Sequence, residues 1–138
     1  MTISNERGSA LIITMMLLLI LTAIGIYAIS ISTTEMSTAL QAKTGTATLN
    51  TTESGAHYAI DQIPILLTAY TDNVADLSRY SVSSWATGGM TFKPGFGANY
   101  RDADFMADST GTAPSGFVGQ RRVQAVVVFG PVPVGTMY

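Results

Sequence analysis

From Gly8 to Thr34 the chain carries no charged side chain: GSALIITMMLLLILTAIGIYAISISTT follows directly on Glu6-Arg7. A helix needs about 20 predominantly apolar residues to cross the hydrocarbon of a bilayer, and this stretch exceeds that. A surface so apolar must be covered by lipid or by other protein. The segment lies behind a short polar head and ahead of a polar remainder, so it is expected to hold the chain in a membrane. The rest of the 138-residue chain leaves room for one small domain with a modest core.

Charge and cysteine content narrow the function classes. The formal net charge is −2, and the few basic residues are scattered, so a nucleic-acid partner is not expected. With no cysteine, disulfides and thiolate metal sites are excluded.

Three readings of the N-terminus compete. A secretory signal needs an apolar core of about 7–15 residues, a basic head and a small-residue cleavage site. Here the core is longer, Arg7 is offset by Glu6, and no clean cleavage site follows, so this reading fits least. A plain single-pass anchor fits the length, with a weak orientation signal from its few flanking basic residues. The third reading is a leader cut just before the apolar run, which leaves the apolar helix on the mature protein.

The residues themselves favour the third. Arg7-Gly8 followed by Ser9-Ala10-Leu11-Ile12-Ile13 and a long aliphatic block resembles the class III signal of type IV pilins, and most closely the minor pilins of the PilX type. The similarity runs over about residues 5–60 and includes Thr52-Glu53-Ser54-Gly55-Ala56-His57-Tyr58-Ala59. A looser similarity covers Gly111–Tyr138. The resemblance implies cleavage after Gly8, with Ser9 as a new and N-methylated terminus, and a small Gly8 suits a protease that approaches the backbone closely. It implies a leader at 1–8, a membrane and assembly segment at 9–31, and an extracytoplasmic domain at 32–138. The expected fold is α+β and pilin-like: a long N-terminal helix over about 9–63 packed on a small β-rich region. The implied partners are other minor and major pilins through the helix, the prepilin peptidase, and inner-membrane lipid before assembly. The implied location is the inner membrane, then the fibre or its tip.

One position departs from the family pattern. Most major pilins carry a glutamate as the fifth residue after the cleavage point, where this chain has Ile13. In the family that acid is thought to pair with the terminal amine of a neighbour already in the fibre. A lone carboxylate in hydrocarbon is costly and is retained for a partner, so a subunit without it belongs where no earlier subunit sits. The expectation is a tip or priming subunit, with Ile13 as an ordinary lipid-facing residue the plainer alternative. The same fold also suits a minor pseudopilin of a type II secretion system, although the tip subunit there usually carries a large insertion. An anchored periplasmic partner-binding protein is the reading from another class.

No proline interrupts Ser9–Ile63, and one helix over that span would run roughly 80 Å. Beyond the membrane its apolar positions thin to Ile31, Met36, Leu40, Ala47, Leu49, Ala56, Ala59, Ile60 and Ile63, a narrow stripe suited to packing on a sheet. Eight threonines between 33 and 52, with Gly45 and Gly55, make this half intrinsically weak. Gly25 inside the apolar run is either a flexible point that partly unwinds in the fibre or a site of close helix contact.

Pro64 ends or kinks the helix. Asp72–Arg79 is expected to form a short second helix. Turn signals fall at Thr87-Gly88-Gly89, Lys93-Pro94-Gly95 and Ala113-Pro114-Ser115-Gly116, with short strands expected at Tyr80–Trp85 and Met90–Lys93. Arg122–Phe129 gives the clearest strand, with Val123, Ala125, Val127 and Phe129 on its core face. The Pro131 and Pro133 tail is expected to leave the sheet as an extended segment.

Signs of chemistry are sparse. His57 is the one histidine and is expected to have a surface or packing role. Asp102, Asp104 and Asp108 suggest loop carboxylates for calcium but lack the EF-hand glycine and closing glutamate. The glycines at 88–89 and 95–97 are not followed by a phosphate-binding helix start. Arg121-Arg122 reads as a pair of exposed charges. Tyr80, Trp85, Phe92, Phe96, Tyr100 and Phe105 are expected to fill the small core, though a sugar- or DNA-contacting patch among them stays open. No nucleophile, base and orienting group assemble into an active site, so neither an enzyme, a resident metal nor a cofactor is expected.

Overall fold

A computed structural model describes residues 6–74 and 77–135. The expected leader residues 1–5 lie outside them, as do Ala75 and Asp76. One helix, α1 (Glu6–Gln62), is followed by four strands: β1 (Tyr70–Asn73), β2 (Arg79–Phe92), β3 (Tyr100–Thr112) and β4 (Gln120–Pro133). The architecture is the expected α+β, pilin-like one. The helix begins at Glu6, three residues before the expected start, and ends within a residue of its expected end. Pro64 has no N–H to continue the ladder and biases Ile63 out of the helical region. The last turn closes with the Ile63 N–H donating to the Ile60 carbonyl (3.2 Å).

The chain divides into two compact units, residues 1–41 and 42–138. In the first, every side chain described, from Gly8 to Gln41, is exposed. In the second, residues 42–62 of α1 pack on one face of an antiparallel sheet of order β1-β2-β3-β4. The register is a simple meander, with Tyr80 opposite Gly111 and Ala107 opposite Ala125.

The packed stripe of the helix consists of small residues and threonines. Thr48, Thr51, Thr52, Gly55, Ala56, Ala59 and Ile63 are buried, whereas Leu49 is exposed and Ala47 half-buried. The expected stripe was therefore right at Ala56, Ala59 and Ile63. It was wrong at Ile31, Met36, Leu40 and Leu49, which are exposed, and it missed the threonines. Their hydroxyls are satisfied: Thr48 donates to the Thr44 carbonyl (2.8 Å) and Thr52 to the Thr48 carbonyl (2.7 Å). Thr51 lies 2.6 Å from the Ser78 hydroxyl. A threonine that bonds back along its own helix can be buried without an orphaned hydroxyl.

The middle strand meets this stripe with Ala103, Phe105, Ala107, Ser109 and Gly111, all buried at alternate positions. The Ser109 hydroxyl donates to the Thr52 carbonyl (2.7 Å). A Cβ added at Gly111 would overlap the Thr52 hydroxyl and lie 2.8 Å from its backbone nitrogen. One added at Gly55 would lie 2.9 Å from both Tyr80 and Val82. Helix and strand thus approach at backbone distance, which only glycine allows. Apolar packing beside this seam falls into two clusters, Ala59, Tyr80, Val82 and Ala107 in one and Ile63, Ala103, Phe105 and Val132 in the other.

Four expectations are corrected. Asp72–Arg79 is not a helix: Asp72 and Asn73 end β1, Arg79 opens β2, and Leu77 takes a positive φ of 64°. The two short strands are one 14-residue strand, and Thr87-Gly88-Gly89 marks a bulge between Ala86 and Met90 rather than a turn, a position glycine favours. The proline tail does not leave the sheet: Val132 is buried opposite Arg101, and Pro133 faces Tyr100. The Val134 N–H donates to the Asn99 carbonyl (2.7 Å), so by alternation the amide positions of Pro131 and Pro133 point to the open edge of the sheet, where proline costs no ladder bond. Of the expected core aromatics only Tyr80 and Phe105 are buried, while Trp85, Phe92, Phe96 and Tyr100 are exposed. The turns at 93–95 and 113–116 fall where expected, with Gly95 and Gly116 at positive φ.

Gly111→Ala is expected to lower the melting temperature of the full chain, overpacking costing about 1–3 kcal/mol. Gly45→Ala, where an added Cβ meets nothing within 4 Å, is expected to raise it by up to about 1 kcal/mol of helix propensity. Thermal denaturation followed by near-UV circular dichroism checks both, and equal responses would contradict the seam.

Candidate functional site

The first unit presents the larger feature. Leu11, Leu18, Leu21 and Tyr27 are all more than 60% exposed, so the apolar run is not a core helix. α1 is long and apolar enough from Gly8 onward to cross a membrane. Its backbone bonds are internal, as hydrocarbon requires. The polar side chains inside the run also turn inward: Thr14 donates to the Leu11 carbonyl (2.8 Å) and Thr22 to the Leu18 carbonyl (2.6 Å), which hides hydroxyls from lipid. Gly8 and Ser9 lie in the first turns of α1, and Ile13 is exposed among aliphatic neighbours. At Gly25 the helix is unbroken, and a Cβ there would meet nothing within 4 Å.

The second unit offers the outer face of the sheet, opposite the helix. Pairing places Trp85, Met106 and Val126 in one row, Ser83, Asp108 and Gln124 in the next, and Ser81, Thr110 and Arg122 in a third. Trp85 is 41% exposed and Val126 65%. Arg122 grips Asp108 through Nε (2.8 Å) and Nη2 (2.5 Å). That bidentate pair raises the Arg122 pKa through the hydrogen bond and then the charge of Asp108. Beside it Asp108, Thr110, Gln120, Arg121 and Arg122 line an open depression of about 510 Å³.

The three aspartates do not form a loop. Asp102, Asp104 and Asp108 lie on β3, where Asp108 is held by Arg122, and Lys93 Nζ lies 3.4 Å from Asp102. Among the described residues no three metal-ligating side chains gather. His57 is exposed on the helix. The Asp108–Arg122 pair was missed because it is diagonal across two strands, visible only once the hairpin register about residues 113–119 is known.

Three tyrosines from three elements meet at one side of the unit. Tyr58 stacks on Tyr70 with centroids 4.7 Å apart, and Tyr80 lies 6.4 Å from each. The Tyr70 hydroxyl donates to Asp72 (3.3 Å). The Tyr70 phenol is pushed up to about 12, first by lost hydration and then by Asp72 and Tyr58. A raised phenol pKa leaves stability intact below the ordinary tyrosine value of about 10 and removes it as pH climbs through the folded value. The chain is therefore expected to lose stability between about pH 10 and 12, less steeply in Tyr70→Phe. Denaturation midpoints across that range check this, and a flat parent profile would contradict it.

Residues 7–56 match the model of the PilX N-terminal family, a span that covers just over a third of the chain. No curated protein matches the chain, and no solved structure does.

Proposed function

From a PilX-type N-terminal segment carried on an α+β, pilin-like fold, we propose that this chain is a minor pilin that primes or caps a type IV pilus. The observation that carries the reading is the uncharged helical run from Gly8 to Thr34, wholly exposed and matched to that family. In the inner membrane lipid covers this surface. In a fibre the same helix packs against the helices of other pilins, small residues such as Gly25 allowing close approach. The prepilin peptidase cuts between Gly8 and Ser9, and the helix is retained. The role is structural and non-catalytic.

Ile13 supports a position at the distal end. Without a carboxylate at that position it has no charge to neutralise with an earlier neighbour, so it loses nothing by being first. The pseudopilin reading shares the fold. It is the weaker one because residues 42–135 are spent on a helix half and a plain four-strand meander, with no inserted domain.

Quantitative mass spectrometry of sheared fibres, with immunogold labelling, tests the placement. A few copies per fibre at one end are expected. Even labelling along the fibre would overturn the tip role, and absence from fibres would overturn the pilin reading. Ile13→Glu is expected to move label from the end into the shaft.

A further inference from the structure

We propose that the end of the second unit at which α1 enters it rests on an anionic lipid surface, through the tips of two hairpins. The inference rests on α1 being held in a bilayer and not on a role in a pilus. The register places the β1–β2 turn (residues 74–78) and the β3–β4 turn (residues 113–119) at the same end of the sheet, since Thr112 pairs with both Arg79 and Gln120. α1 enters at that end as well: Thr48 lies beside Gly111 and Gly119, whereas Ile63 packs with Ala103 and Phe105 towards the other. Both tips hold apolar side chains out from the sheet. Leu77 is 69% exposed, Val118 fully and Phe117 nearly half. Backbone bonds fix each tip, the Leu77 N–H donating to the Val74 carbonyl (2.9 Å) and the Phe117 N–H to the Pro114 carbonyl (3.1 Å). Residues 113–119 carry no charge. Apolar side chains displayed on projecting turns leave water when they enter the boundary between headgroups and acyl chains.

Charge and tether select lipid as the occupant. Lys43 on α1 and Arg121, opposite the helix-facing Gly111, belong to the same end. Neither makes a hydrogen bond or ion pair among the described residues. Two acids there are engaged, Asp108 by Arg122 and Asp72 by the Tyr70 hydroxyl. Glu53 lies about 15 Å beyond Lys43 along α1, and Asp76 is outside the described residues. Apolar tips beside free cations match a layer in which phosphates cover hydrocarbon. The link from the apolar run to this unit is residues 35–41, which reach only about 25 Å even when fully extended. The opposite end of the sheet also exposes aromatics, Phe92, Phe96 and Tyr100, but its cations are engaged. Arg101 lies over Phe92 (4.9 Å), and Lys93 lies over Phe96 (5.7 Å) and 3.4 Å from Asp102. That end is also the one the link does not enter. Two projecting turns offer a folded partner no groove, whereas fluid lipid closes around them.

The chain has no cysteine, so a single introduced thiol reports its own surroundings. The full chain would be held at one copy per nanodisc of phosphatidylglycerol and phosphatidylcholine, with a fluorophore at Val118→Cys, Leu77→Cys, Phe96→Cys or Leu18→Cys. All four positions are exposed, and an unchanged circular dichroism spectrum certifies the fold. Leu18 is expected to be quenched by a nitroxide on the acyl chain. Val118 and Leu77 are expected to be quenched by a nitroxide at the headgroup, at least about threefold more than Phe96 at the other end. Discs of phosphatidylcholine alone, or Lys43→Gln with Arg121→Gln, are expected to lower the Val118 signal roughly twofold or more. Phe117→Ser with Val118→Ser is expected to lower the Leu77 signal as well. An unquenched Leu18 would overturn the anchor and the proposal with it. A quenched Leu18 with Val118 and Leu77 no more quenched than Phe96 would overturn the proposal alone. So would a Val118 signal indifferent to both lipid charge and the two cations, or one that arises only with more than one chain per disc, which makes a second copy the occupant.

Discussion

The contact between the C-terminal part of α1 and strand β3 is made at backbone distance, and the rest of the second unit follows from it. Gly111 lies against Thr48 and Thr52, and Gly55 against Tyr80, Val82 and Ser109. Nothing larger than hydrogen fits at either point. Because the two elements sit so close, the core needs few large side chains. Phe105 is the largest one fully buried, and alanine, serine and threonine supply much of the rest. Close fit over small residues stands in for the bulk and the disulfides that small domains often use. It also consumes one face of the sheet only, leaving the row of Trp85, Met106 and Val126 uncovered.

How much of this was legible in the sequence depends on which physical signal carried it. The long helix was, since no proline interrupts it before Pro64. So was the alternation of Val123, Ala125, Val127 and Phe129 on β4, which the half-buried pattern there repeats. The threonine stripe was not. Apolar periodicity scores threonine as neutral, and its β-branching argues against helix, so neither rule sees a hydroxyl bonded back to its own carbonyl. The glycines at 88 and 89 carry a turn signal identical to that of a bulge, and only pairing with β3 distinguishes them. Pro131 and Pro133 read as strand breakers because the sequence does not show that β4 is an edge strand whose open side takes both residues. The outer-face cluster was illegible for a similar reason. Trp85, Asp108 and Arg122 are far apart in the chain, and hairpin register alone brings them onto one surface.

The two units answer different demands. In the first, exposure of an apolar helix is the working feature: it suits lipid and then other helices, and the inward-bonded hydroxyls of Thr14 and Thr22 suit both surroundings. In the second, the outer face of the sheet carries an apolar row of Trp85, Met106 and Val126 beside the polar rows that hold Asp108 and Arg122.

The most direct test is the N-terminal residue of the mature protein, read by mass spectrometry of the membrane fraction with and without the prepilin peptidase. The account predicts a methylated Ser9 start that depends on the enzyme. An intact Met1 start in both samples would contradict it, leaving an anchored protein for which Ile13 carries no meaning.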